Sequence, residues 1–124
     1  MKARLDAAWE SVTPLTREGR VVELPVRYGG AGGPHMADVV APTGLSVEEI
    51  VELHSAPLYP VYALGSHPGY CYLGGMDPRI ATPRRKVPVL SIPGGAVSIG
   101  GAQTGVSASA GPSGWNTIRT TQMA

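Results

Sequence analysis

The spacing of apolar residues changes near residue 60, and each half predicts a different kind of element. Residues 2–11 place Leu5, Ala8 and Trp9 three and four apart among good helix formers, which predicts a short lead-in helix. Pro14 and Gly19 break that pattern. Arg20–Val26 then reads as a strand in which Pro25 calls for an edge or a bulge. Gly29–Pro34 reads as a loop and Met36–Val40 as one or two helical turns. Ser46-Val-Glu-Glu49 is a capping box, because the serine hydroxyl can accept from the Glu49 N–H while the Glu49 carboxylate reaches back. The helix it opens runs to about His54, with Val47, Ile50, Val51 and His54 on one face.

Beyond residue 60 the chain turns to short extended runs: Val61–Leu64, Tyr70–Leu73, Ala96–Ile99, Thr104–Ser107 and Trp115–Ile118. Five or six such strands with two flanking helices predict a mainly β domain, a small barrel or sandwich, over residues 20–124. Residues 1–19 form its lead-in helix and connector. The 17 glycines and 12 prolines agree with many turns and oppose a helix bundle. A net charge of +1 gives no electrostatic footprint for nucleic acid or an anionic membrane, and the basic cluster Arg79, Arg84, Arg85 and Lys86 is local. With one cysteine, no signal-peptide pattern and no long apolar run, the expectation is a soluble cytoplasmic protein.

Candidate chemistry concentrates between residues 64 and 115. No phosphate-binding Gly-Lys-Ser or Gly-Lys-Thr occurs, and no Gly-x-Ser-x-Gly. His67 and Cys71 stand near metal-ligand spacing without further ligands, so the expectation is no metal site. Arg84 and Arg85 offer forks that match a carboxylate or phosphate, or else lie in a solvated turn. Gln103 and Thr104, bracketed by glycines, present polar groups from a loop or simply close a hairpin. His54 reads first as a helix C-terminal cap. Trp115 reads as a core or interface aromatic.

These pieces carry a resemblance. Leu24-Pro-Val-Arg-Tyr-Gly-Gly30, Thr43–Glu49, His54-Ser-Ala-Pro57, Pro68-Gly-Tyr-Cys-Tyr-Leu-Gly-Gly75, Asp77-Pro-Arg79, Thr82-Pro-Arg-Arg85, Gly101-Ala-Gln-Thr-Gly105 and Gly114-Trp115 occur in the order found in the KipI-like proteins. This family is also called allophanate hydrolase subunit 1, or the B-type subunit of 5-oxoprolinase. The chain resembles its C-terminal domain over roughly residues 20–118. The resemblance implies a cyclophilin-like β-barrel with short flanking helices. Departures after Trp115 imply that the last barrel strands are missing, and the 23 residues before the first motif imply that an N-terminal domain is missing. A chain of that kind is not expected to be a well-behaved isolated monomer.

The function implied is a subunit of an ATP-dependent 5-oxoprolinase or urea amidolyase assembly acting on a small amide or carboxylate. Its partners would be a KipA-like protein (allophanate hydrolase subunit 2) and a LamB/YcsF-type subunit. ATP would be used by the assembly, with no site for it evident in this chain and no covalent cofactor. Arg84 and Arg85 would hold a carboxylate or phosphoryl group, Gln103 and Thr104 a carbonyl oxygen, and His54, Tyr70 and Tyr72 would shape the pocket; the catalytic residues stay unassigned. The other readings are a KipI-like inhibitor of a sensor histidine kinase and an inactive truncated relative.

Overall fold

The computed structural model describes residues 19–65 and 67–122, so the helix expected over residues 2–11 lies outside the described residues. In chain order the elements are β1 (Val26–Tyr28), α1 (Met36–Thr43), α2 (Val47–Ser55), β2 (Val61–Leu64), β3 (Cys71–Leu73), β4 (Val89–Ile92), β5 (Ala96–Gly100), β6 (Gln103–Val106), β7 (Gly111–Ser113) and β8 (Asn116–Thr121), with single 3-10 turns at Gly30–Gly32 and Pro78–Ile80. Six strands form one sheet in the order β1-β8-β5-β6-β3-β2, and β4 pairs with β7 in a separate ribbon. Every pairing is antiparallel.

The mainly β expectation therefore holds. The closed barrel implied by the resemblance does not form among the described residues, because β1 and β2 end the strand order without pairing to each other. All four residues of β2 are exposed, Tyr62 at 75% and Leu64 at 69%. An uncharged apolar edge of this kind is what isolated sheets normally blunt with charges or cover with another element.

The helices form where the sequence placed them. The Glu49 N–H donates to Ser46 Oγ at 3.1 Å and the Ser46 N–H to Glu49 Oε1 at 3.3 Å, completing the capping box of α2. Gly44, at φ 71°, ends α1 by donating its N–H to the Val40 carbonyl at 2.9 Å. Met36 and Val39 of α1 and Ile50 of α2 then pack against Ile99 of β5, Ile118 of β8, and Met76 and Ile80. Burying each such side chain contributes about 1.5–3 kcal/mol, enough to hold two short helices on the sheet.

Two strand expectations need correction. The first strand begins at Val26, where the sequence pattern ends it, because Pro25 supplies no N–H and the apolar Val21 and Val22 remain exposed. The β4 and β7 strands have no counterpart among the expected extended runs; three or four residues containing Gly111 and Pro112, or bounded by Pro88 and Pro93, give no readable alternation.

Candidate functional site

Alternation along β6 divides its side chains between two environments. Thr104 faces the helices, whereas Gln103 and Ser107, the residue after β6, line a cleft of about 590 Å³ whose opposite wall is the ribbon end around Ile92 and Gly111–Trp115. Tyr70, Tyr72 and Trp115 stand edge to face in this cleft with ring centroids 4.9, 6.4 and 6.3 Å apart, and His67 meets Tyr70 at 5.2 Å.

The rings lie close to the sheet because glycine provides the floor. A Cβ on Gly100 would fall 2.4 Å from three atoms of the Trp115 indole, and one on Gly105 would fall 2.4 Å from Tyr70 Oη. Neither glycine has a positive φ, so each is required here for space alone. Gly100→Ala is expected to lift the indole off the sheet. In a background lacking Trp9, this would shift the Trp115 emission maximum, with about 1–2 kcal/mol lost in a denaturant titration. An unchanged spectrum would show that the indole does not depend on that floor. Burial, reinforced by Tyr72 and Cys71, pushes the Tyr70 phenol up to about 12, so it stays a hydrogen-bond donor.

The strap from Thr82 to Lys86 brings in the cation. Thr82 and Gly101 exchange backbone hydrogen bonds at 3.0 and 2.7 Å, Asn116 Nδ2 donates to the Pro83 carbonyl at 3.0 Å, and the Arg85 N–H donates to Gly114 O at 2.7 Å. Adjacent side chains then diverge. Arg85 turns to α1 and pairs with Asp38 at 2.6 Å, beside a second depression of about 440 Å³. Arg84 lies over Gly114, lining the aromatic cleft as well as the edge of that depression, and makes no ion pair among the described residues. Arg79 is spent on Asp77 at 2.8 Å.

Of the residues singled out from the sequence, Arg84, Gln103, Tyr70 and Tyr72 share this cleft. His54, Thr104 and Arg85 are not brought to it. His54 is fully buried behind the sheet, with Nε2 3.0 Å from Thr104 Oγ1 and Nδ1 3.4 Å from Tyr28 Oη. Since the Thr104 hydroxyl donates to Ser98 O at 3.0 Å, the hydrogen-bond pattern assigns the histidine proton to Nε2 and leaves Nδ1 to accept from Tyr28, which in turn accepts from Arg119. Sequence reasoning assigns Trp115 a packing role and does not select Ser107. The first is marked by its Pro-Ser-Gly turn, the second only by its i, i+4 relation to Gln103.

This network predicts a pH dependence. Burial first, and the Arg119 charge second, lower the His54 pKa to about 3. Between that value and the ordinary 6.5 the unfolded chain takes up a proton that the folded chain refuses, so stability is complete above pH 6.5 and falls as pH drops towards 3. The loss should approach about 1 kcal/mol per pH unit. His35 adds to it in the same direction, lowered mainly by burial and then by Arg85, against Asp38. His54→Gln should be less stable at pH 7 but show a flatter slope between pH 6 and 4; equal slopes in denaturant titrations would remove His54 as the cause.

No helix among the described residues is long and apolar enough to cross a membrane, and they hold no group of three or more His, Cys, Asp or Glu able to bind a metal. Comparison with known proteins gives consistent matches. The B-type subunit of 5-oxoprolinase from Escherichia coli O157:H7 is 49% identical over 120 residues, covering 97% of this chain and 55% of the relative. Its counterpart from Bacillus subtilis (strain 168) is 48% identical over 105 residues, covering 85% and 44%. Among solved structures, a conserved uncharacterized protein from Pyrococcus horikoshii, PH0987, superposes with a TM-score of 0.77 at 52% identity, over 81% of this chain and 46% of that one. TTHA0988 gives 0.82 at 39% identity over 99% and 24%. The chain thus spans about half the length of the curated relatives it matches. The family profile described as carboxyltransferase domain, subdomain C and D, matches residues 1–124, and the chain belongs to that family.

Proposed function

We propose that this chain works as the B-type component of a 5-oxoprolinase-like assembly, its aromatic cleft holding a small carboxylate that carries a cyclic amide. One observation carries the reading: Arg84 stands without an acidic partner among the described residues, beside three aromatic rings. A guanidinium fork matches a carboxylate, and flat rings suit a flat lactam. In this reading Arg84 holds the carboxylate of 5-oxoproline. The Tyr70 hydroxyl and the Gln103 amide reach the lactam oxygen and nitrogen.

ATP belongs to the assembly in this proposal. The N-terminus of α2 is closed by its own Ser46 cap and carries Glu48 and Glu49, and the first turn of α1 carries Asp38, so neither helix offers a phosphate cradle. Among the described residues the apolar β2 edge is uncovered, which supports a protein partner; in this reading a KipA-like subunit takes that place, with a LamB/YcsF-type third component. Mixing the three proteins and following ATP hydrolysis tests it. Hydrolysis that depends on added 5-oxoproline is expected; a stable assembly indifferent to 5-oxoproline would contradict the reading.

A further inference from the structure

The cleft is longer than one small ring requires. Gln103 and Ser107 both line it from the same face of one extended run, so their Cα atoms stand about 13 Å apart at a strand rise of roughly 3.3 Å per residue. Tyr70 rests over Gly105, midway between them, and partitions the floor. Trp115 rests over Gly100, the β5 partner of Gln103, and Arg84 lies over the neighbouring Gly114, which puts these three on the Gln103 side of the partition. On the other, two polar groups are left without partners. Ser107 is 4% exposed and its hydroxyl makes no hydrogen bond among the described residues, and His67 Nε2 is buried with no partner. The Ser107 hydroxyl is open to the cleft, whereas His67 Nε2 is sealed as the ring stands; a buried polar atom left unpaired is costly, so a turn of the ring that brings it to a ligand oxygen is favoured.

We propose that His67 and Ser107 form a second subsite, beyond Tyr70, that takes the carbonyl oxygen of an acyl or peptide group, so that the cleft accepts a carboxylate ligand extended by one or two amide units. The proposal rests on the reading of this cleft as a carboxylate site. Chemistry selects the carbonyl: Arg84 is the one Lys or Arg among the lining residues, which leaves an imidazole and a hydroxyl at the far end. An imidazole N–H and a serine hydroxyl can both donate to one oxygen. Length selects the extension, since extended peptide spans about 3.3–3.6 Å per residue and two residues with an acyl cap bridge most of the distance. The Tyr70 ring lies between the two ends, where an amide plane can stack on it.

The test uses two probes, L-5-oxoproline and N-acetyl-glycylglycine, titrated by calorimetry into the whole chain and its variants. Both should bind, and Arg84→Ala should weaken both. Ser107→Ala should lower the affinity for N-acetyl-glycylglycine relative to 5-oxoproline by about fivefold, one neutral hydrogen bond's worth. His67→Ala should move the same ratio in the same direction. An unchanged ratio in both variants overturns the second subsite, as does binding of 5-oxoproline alone to the wild type. Failure of both probes removes the carboxylate reading itself, and the subsite with it.

Discussion

Arg84→Ala is expected to lower kcat/KM for 5-oxoproline in the proposed 5-oxoprolinase-like assembly by about 10- to 100-fold, the loss of one charge-assisted hydrogen-bonded pair worth about 1.5–3 kcal/mol. The expectation follows from the division of labour within the strap. Arg85 is committed to Asp38 and Arg79 to Asp77, so neither is free to substitute in the cleft. The backbone anchors at Thr82, Pro83 and Arg85 do not involve the Arg84 side chain, so the variant should fold and assemble as before. Arg84→Lys should recover only part of the loss, because an ammonium keeps the charge without the fork. Turnover of Arg84→Ala equal to wild type, in an intact assembly, would remove Arg84 from the site.

The largest effect on folding is expected at Gly33. A Cβ there would lie 2.1 Å from the Ile118 carbonyl oxygen and 2.6 Å from the Gly29 nitrogen, both backbone atoms. They have nowhere to retreat: Gly29 donates to Ile118 O at 3.1 Å, Gly33 donates to Gly29 O at 2.9 Å and His35 donates to Thr117 O at 2.9 Å, binding the loop to β8. Gly33→Ala should cost about 3 kcal/mol, or roughly 10 °C in Tm. Gly111→Ala is the control, since nothing lies within 4 Å of its Cβ position and its φ is not positive. Equal melting temperatures for the two variants would show that the loop is not pinned to the sheet as described.

Local signals in the sequence are reliable where the cause is local. The capping box at Ser46 and Glu49 marks the start of α2, and alternation marks β5 and β6 at nearly their observed bounds. The first strand is displaced because its register is decided by pairing with β8, over ninety residues away in sequence, which no window around Pro25 contains. The site follows the same division. Tyr70, Tyr72, Arg84 and Gln103 are legible as chemistry-bearing residues in a glycine-rich setting, and they meet in one cleft. The sequence does not show that neighbours part company: Thr104 turns from Gln103 to the buried His54, and Arg85 turns from Arg84 to Asp38. Alternation predicts such divergence in principle, but which face is the cleft is set by where β4 and β7 fold back.

The measurement that bears most directly on the account is a nuclear magnetic resonance titration of the isotopically labelled chain with L-5-oxoproline. The account predicts saturable shifts at the Trp115 indole N–H, the Gln103 side-chain amide and the backbone of Gly114, with the Arg84→Ala chain showing much weaker ones. Shifts confined to the depression beside Arg85 and Asp38, or no saturable shifts at all, would contradict it.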